Sequence, residues 1–215
     1  MINSAIAELD SWRVGELQAT GIFANSKLAW KHFRFSQSLN YRMVHLVDSI
    51  CLGWNEHRFM GPVLASRAII ETAAILSRLL QKTQSSLESK NVQELNEFLD
   101  RFTFQTRDRE MLKRNPDLAA TNILTEITRL DKRMGGVSAH YEMLSELCHP
   151  NYFGHVGLFS KLDTSSGTVT FNDDIIERKT LHSVFASLML TALARSDLRI
   201  LYSAVRDVAD LQAQR

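Results

Sequence analysis

The stretch GPVLASRAIIETAAIL, residues 61–76, says most about the fold of this chain. Its apolar residues fall on nearly every side of a helix, which is typical of a helix buried at the centre of a protein. Pro62 favours a helix start at this point, because the first turn leaves its backbone nitrogen without a partner in any case. The sequence therefore predicts a central helix over residues 61–83.

Two charges interrupt this apolar helix. Arg67 and Glu71 are the only charged residues between positions 59 and 77. Burying a charge is costly unless the charge is paired, so each needs a partner. The two lie four residues apart and can meet, but an Arg preceding a Glu is the weaker order for such a pair. We therefore expect a further partner on another helix.

The stretch YEMLSELCHPNYFGH, residues 141–155, supplies candidates for that partner. Tyr141, Ser145 and Cys148 share the inner stripe of a helix that Pro150 ends. We predict that two helices enclose one polar cluster, whose members are Arg67, Glu71, Tyr141, Ser145 and His149. We expect the rim of any pocket beside it to be formed by Glu146, Asn151, Tyr152 and His155.

The rest of the chain also repeats apolar residues at helical spacing. Helices are predicted over residues 4–19 and 26–57, the second with a possible break at 35–38, and a loop over 83–91. Asn91 is expected to cap a short helix, and Ser138 to cap the one that contains Tyr141. Asn115-Pro116 is expected to open another helix, which ends at Gly135-Gly136.

The spacing of apolar residues changes after Pro150 from a helical to a strand-like pattern. HVGLFSKL and GTVTFN flank the turn-rich segment DTSSG, which indicates a β-hairpin near residues 155–172. A helix is predicted from 175 to about 212, longer than a compact bundle requires. Either of two arrangements accounts for that length: the helix packs against a second copy of the chain, or the helix is kinked. The fold class is therefore an all-α bundle of six or seven helices, one domain over residues 1–215.

Composition limits the class of protein. With 215 residues and a net charge of +1, the chain can bury a sizeable core and has no strong overall attraction for nucleic acid. Two cysteines make no disulfide framework, and no signal peptide or membrane-spanning run is evident. We expect a cytoplasmic protein with no cofactor, no membrane association and no bound metal.

One face of the second helix is basic. It carries four cations without an acid, interleaved with aromatic side chains, namely Lys27, Lys31, Arg34 and Arg42. Cations among aromatics can contact RNA phosphates and stack on bases. The alternative is a solvated helix face whose aromatics belong to the core.

The residues of the Tyr141 helix are compatible with three kinds of chemistry. Glu146 and His149 have the Glu-x-x-His spacing of di-iron bundles, but the second copy of the motif is missing. Ser145 and His149 are spaced for nucleophilic catalysis, but no oxyanion-binding elbow accompanies them. Cys148 has no basic residue nearby in sequence, so we expect an inert packed thiol.

The motifs R-x-x-x-E and Y-x-x-L-S-x-x-x-H-P, followed by a long terminal helix, resemble a family of uncharacterised bacterial all-helical proteins. Here they are Arg67, Glu71, Tyr141, Ser145 and His149 with Pro150. That family is distantly similar to the higher-eukaryote-and-prokaryote nucleotide-binding (HEPN) helical domains, many of which are ribonucleases. The resemblance implies a helical bundle with a polar cluster.

Three functions follow as expectations. The first is a non-catalytic bacterial accessory or regulatory protein, acting as a homodimer, whose polar cluster organises the core or a small pocket. The second is a HEPN-like ribonuclease or RNA-binding defence protein that uses His149, Arg67 and the basic face. Its nuclease relatives use an Arg and a His that are separated by four to six intervening residues, and this sequence has one such pair, Arg133 and His140. The third is a metal-binding bundle.

Overall fold

A computed structural model describes residues 2–213, and over this range the chain forms an all-α bundle with one small β-hairpin. Seven of the helices have ten residues or more. The helices are α1 (Ile2–Ser11), α2 (Ile22–Asn25), α3 (Lys27–Asn55), α4 (Met60–Glu88), α5 (Val92–Phe104), α6 (Arg109–Arg114), α7 (Ile123–Arg133), α8 (Val137–Cys148), α9 (Val156–Phe159), α10 (Asp174–Ser203) and α11 (Val205–Ala213). The predicted fold class is confirmed.

Helix α4 is the centre of the bundle. It packs mainly against α3 and α10, and also contacts α5, α7 and α8. Val63, Ile69 and Leu79 are completely buried along it. Each such side chain stabilises the fold by about 1.5–3 kcal/mol relative to an exposed one. The stretch with apolar residues on every side thus forms the central helix that its pattern predicted.

Helix α4 runs past the predicted loop at residues 83–91 and ends at Glu88. Its polar residues stay helical because they bond within the helix: the Thr83 hydroxyl donates to the Leu79 carbonyl at 2.9 Å. The prediction of a loop from residue 83 was wrong. Asn91 does cap α5, since its side chain accepts the N–H of Glu94 at 3.1 Å.

Helix α1 ends at Ser11 instead of reaching residue 19. The chain beyond it is held by Gln37, whose side chain donates to the Trp12 carbonyl and accepts the N–H of Val14. Helix α3 has no break at residues 35–38. The Ser36 hydroxyl there donates to the carbonyl of His32, one turn earlier.

The start of α8 also differs from the prediction. Gly136 occupies the cap position with a left-handed backbone (φ 94°), a conformation that glycine adopts without strain. Ser138 is not the cap; its N–H donates to the Asp131 side chain at 3.0 Å.

The start of α7 differs from the prediction as well. Pro116 opens only a 3-10 turn, Pro116–Leu118, and α7 starts later, capped by Asn122.

The hairpin is present as predicted. Strands β1 (Ser160–Asp163) and β2 (Thr168–Phe171) pair antiparallel, with Leu162 opposite Val169. The long C-terminal helix is also present, interrupted at Ala204 between α10 and α11. Within residues 2–213, no helix is both long and apolar enough to cross a membrane.

Candidate functional site

Helices α4 and α8 bring three of the predicted cluster residues together. The Tyr141 hydroxyl lies 3.1 Å from Nη2 and 3.3 Å from Nε of Arg67. The same hydroxyl donates to Oε1 of Glu71 at 3.0 Å, and that oxygen is 3.5 Å from Nε of Arg67. Tyr141 is therefore the partner on another helix that the weak Arg–Glu order required.

The cluster lies at the edge of the core. Tyr141 is buried, but the Arg67 and Glu71 side chains are 32% and 27% exposed. The cluster was expected to lie buried between two helices, but the outer side of Arg67 and Glu71 faces a cavity. This partial exposure lowers the energetic cost of the two charges and makes them accessible to a ligand.

That cavity, which we call the Arg67 cavity, has a volume of about 420 Å³. Its floor is formed by α3 and α4, and its opposite wall by the chain between α5 and α7. The polar residues that line it are Arg42, Arg67, Glu71, Thr72, Gln105, Thr106, Arg107 and Thr121. Three arginines against one glutamate give the lining a formal excess of two positive charges.

Backbone hydrogen bonds hold the opposite wall in place. The N–H of Thr106 donates to the Leu118 carbonyl at 2.8 Å, and the N–H of Ala120 donates to the Thr106 carbonyl at 3.1 Å. The side chain of Gln105 accepts the N–H of Thr121 at 2.9 Å. These bonds fix residues 105–107 against residues 118–121, so Arg107 projects from an anchored segment.

Arg42 is positioned from the floor of the cavity. Its Nε donates to the hydroxyl of Thr72 at 3.1 Å, and that hydroxyl donates in turn to the Ala68 carbonyl at 2.7 Å. Thr72 is 1% exposed, so this anchor is part of the core. The guanidinium of Arg42 is exposed and retains its other N–H groups for a ligand.

The environment keeps Arg67 charged. Burial lowers the pKa of its guanidinium, but the hydrogen bond with Tyr141 and the charge of Glu71 outweigh burial, and the pKa is raised. Cys148 also lies beside Arg67, which corrects the expectation of no basic neighbour. Burial raises the pKa of the Cys148 thiol in spite of Arg67, so the thiol stays protonated and unreactive.

Ser145 and His149 do not join the cluster. The Ser145 hydroxyl oxygen is buried and has no hydrogen-bond partner within residues 2–213. His149 follows the last residue of α8 with extended backbone angles, and its side chain is exposed. The helix ends one residue too early to carry His149 inward, so the predicted five-residue cluster is reduced to Arg67, Glu71 and Tyr141.

The four predicted rim residues do not line the Arg67 cavity: Glu146 lies in the last turn of α8, and Asn151, Tyr152 and His155 lie between α8 and α9. Asn151 donates to the Glu146 carboxylate at 2.8 Å and accepts the N–H of Gly154. Nδ1 of His155 accepts the N–H of Val156. Tyr152 is exposed and contacts Phe153 edge to face.

The basic face of α3 is partly neutralised. Lys31 pairs with Asp100 of α5 at 2.6 Å and also donates to Asn96. Arg34 lies over the ring of Trp30, 4.6 Å from its centroid. Lys27 is exposed, and Arg42 belongs to the Arg67 cavity. The four cations therefore do not act as one surface.

Arg133 and His140, which have the spacing of the nuclease pair, each bond to a residue of α10. Arg133 forms a two-pronged ion pair with buried Asp197, with both distances 2.7 Å, and His140 contacts the buried hydroxyl of Ser183 at 3.1 Å. Over residues 2–213, no group of three or more His, Cys, Asp or Glu side chains is placed to hold a metal ion.

Sequence reasoning missed Thr72, Gln105, Arg107 and Thr121. Arg107 was visible only as the first residue of the basic run RDREMLKR, whose eight positions gave no reason to prefer one cation. Thr72 directly follows Glu71, but a threonine in a helix usually bonds to its own backbone, so its contact with Arg42 had no sequence signal.

Comparison with known proteins adds no relative. No protein-family model matches the chain, no curated protein matches it, and no solved structure matches it. The resemblance to HEPN-like helical proteins therefore stays a prediction that rests on the motifs themselves.

Proposed function

We propose that this is a non-catalytic regulatory or accessory protein that binds a small ligand in the Arg67 cavity. The observation that carries the proposal is the arrangement of Arg67 and Glu71 at the cavity surface, held by Tyr141 from a second helix. A ligand that contacts Arg67 also acts on the α4–α8 contact, which is how binding would be transmitted to the rest of the bundle.

The volume and lining support a binding site. Pockets for small molecules commonly measure about 300–1,000 Å³ and combine apolar walls with a few fixed polar groups. The Arg67 cavity falls within that range and also includes Leu39, Ile75 and Ile123. A purely structural ion pair needs no open space beside it, whereas this pair borders one.

Thermal unfolding in the presence of neutral, cationic and anionic metabolites tests the proposal. We expect at least one compound to raise the melting temperature of the wild type, because a ligand that binds only the folded state stabilises it. The effect should weaken in Arg67→Ala and persist in Arg109→Ala, which changes an exposed arginine outside the cavity. If no compound in the panel shifts the melting temperature, the proposal fails.

RNA binding is a second candidate, favoured by the exposed Lys27 and the stacking of Arg34 on Trp30. Single-stranded RNA binds to cations placed beside aromatic rings, and the affinity falls with salt. A gel-shift series should then show salt-dependent binding that the double variant Lys27→Ala, Arg34→Ala abolishes. No shift at low salt would eliminate this candidate.

We further propose that the protein is a homodimer, through the exposed apolar residues Leu181, Phe185 and Met189 of α10. Leu181 and Phe185 border a groove that also includes Ile50 and Trp54 of α3. Light scattering should give the dimer mass for the wild type and the monomer mass for Phe185→Glu. Phe171→Glu, at a more exposed site on the hairpin, is the control. A monomeric wild type contradicts the proposal.

A further inference from the structure

We infer that the ligand of the Arg67 cavity carries a carboxylate or a phosphate group. This inference rests on the proposed function and specifies the chemical class of the ligand. It follows from the charge of the lining, from hydrogen-bond donors that have no protein acceptor, and from the volume of the cavity.

The charge of the lining is not balanced by the protein. Glu71 is the only acidic residue among the lining residues, and its Oε1 already contacts both Tyr141 and Arg67. Arg42 is bonded to a neutral hydroxyl, and Arg107 has no carboxylate partner within residues 2–213. Two guanidinium groups at one cavity thus lack a counter-charge.

These arginines present donors suited to oxygen anions. A guanidinium has five N–H groups in a planar fork, which matches two oxygens of a carboxylate or phosphate. Arg67 uses Nε and Nη2 on Tyr141, and Arg42 uses Nε on Thr72. Arg67 also lies within hydrogen-bonding reach of the Cys148 thiol. Arg42 keeps both terminal nitrogens free of a protein acceptor within the described part of the chain, and Arg107 keeps all three nitrogens.

Thr121 provides a neutral group for the same ligand. Its hydroxyl oxygen is buried and has no hydrogen-bond partner within residues 2–213, although Thr121 lines the cavity. Buried polar groups in proteins are nearly always hydrogen-bonded to protein or to water, and this hydroxyl has no protein partner in that range. We expect it to bond either to a ligand oxygen in the cavity or to a water beside the ligand.

The size of the cavity excludes a bare inorganic ion as its full occupant. A volume of about 420 Å³ accommodates an organic molecule, with the acidic group at the arginines and the remainder against Leu39, Ile75 and Ile123. The predicted ligand class is therefore a small organic acid or a phosphorylated metabolite.

Calorimetric titration of the full chain with citrate, glucose 6-phosphate and glucose tests this inference, at constant ionic strength because salt screens exposed charges. We expect at least one of the two anions to bind saturably and glucose not to bind. Arg107→Ala should raise the Kd about tenfold or more, since a hydrogen bond to a charged group is lost. Arg109→Ala removes the same charge two residues away, outside the cavity, and should change the Kd less than about twofold.

The outcomes distinguish the anionic class of the ligand from the proposed ligand-binding function itself. Binding of citrate alone assigns a carboxylate, binding of glucose 6-phosphate alone assigns a phosphate, and binding of both supports the shared chemistry. If neither anion binds at millimolar concentration, or if both arginine variants weaken binding equally, the inference is overturned. In that case a neutral or cationic compound that shifts the melting temperature of the wild type still supports the proposed function, whereas no shift with any compound overturns both.

Discussion

The hydroxyl group of Tyr141 lies 3.1 Å from Arg67 and 3.0 Å from Glu71, and so joins two charges of α4 to a residue of α8. One oxygen thereby serves both members of an ion pair whose own separation is 3.5 Å. The direct pair is weak, and the tyrosine supplies much of what holds Arg67 at the cavity surface.

Tyr141→Phe removes this oxygen and keeps the buried ring. We expect the free energy of unfolding to fall by about 1–2 kcal/mol, because the lost hydrogen bonds involve charged but partly exposed partners. In a protein of this size the melting temperature should then fall by roughly 2–8 °C. Tyr152→Phe removes a hydroxyl at an exposed tyrosine and is the control. Equal melting temperatures for the two variants would show that the Tyr141 hydroxyl does not stabilise the fold.

The ion pair between Arg133 and Asp197 is structural. Asp197 is 1% exposed and accepts two hydrogen bonds from Arg133 at 2.7 Å. Arg133→Ala leaves this carboxylate buried without its partner, which costs about 3–5 kcal/mol. Urea unfolding should show that loss for Arg133→Ala and almost none for Lys132→Ala, an exposed neighbour. A loss below about 1 kcal/mol, typical of a surface pair, would contradict a structural role.

The burial of His32 makes the free energy of unfolding depend on pH. It is completely buried, its Nε2 lies 3.1 Å from the Thr83 hydroxyl, and its Nδ1 has no partner within the described residues. Because Thr83 already donates to Leu79, Nε2 donates to Thr83, and a second proton would have to sit on the unpaired Nδ1.

Burial accordingly lowers the pKa of His32 to about 4 from its ordinary value of 6.5. Between these two values the unfolded chain binds a proton that the folded protein does not, so stability is lost as the pH falls. The free energy of unfolding should fall by roughly 3 kcal/mol from pH 7 to pH 4 through this residue. Urea unfolding over that range should show a shallower pH dependence for His32→Gln than for the wild type or for His45→Gln, at an exposed histidine. An unchanged slope in His32→Gln would contradict this assignment.

Gly154 is required by the turn after α8. A β-carbon at this position would overlap the carbonyl oxygen of His149, and backbone atoms cannot easily move aside. Gly154→Ala should therefore lower the free energy of unfolding by about 1–3 kcal/mol, as overpacking does. Gly15→Ala is the control, because an added β-carbon there meets no heavy atom within 4 Å. Equal stability of the two variants would mean that the turn adapts.

The sequence predicted those features that depend on helical period. The central position of α4 follows from apolar residues on all its sides, and the contact of Arg67 with Tyr141 follows from the need of a charge for a partner. Both predictions concern residues within helices, where the spacing in sequence determines the side of the helix on which each side chain lies.

The cavity could not be predicted in the same way. Arg107 and Thr121 lie in a connection between helices, and their placement depends on backbone bonds from Thr106 to Leu118 and Ala120. No periodic pattern encodes such pairing between two irregular segments. The position of His149 was missed for a related reason, because the chain leaves the helix one residue before it.

If the arginines of the Arg67 cavity bind an anionic ligand, NMR of the arginine side chains reports the contact at each of them separately. During titration with citrate or glucose 6-phosphate, the Nε–Hε resonances of Arg67, Arg42 and Arg107 should shift saturably with a common Kd. The resonance of Arg109, outside the cavity, should not move. Unchanged cavity resonances, or equal shifts for all four arginines, would contradict the claim.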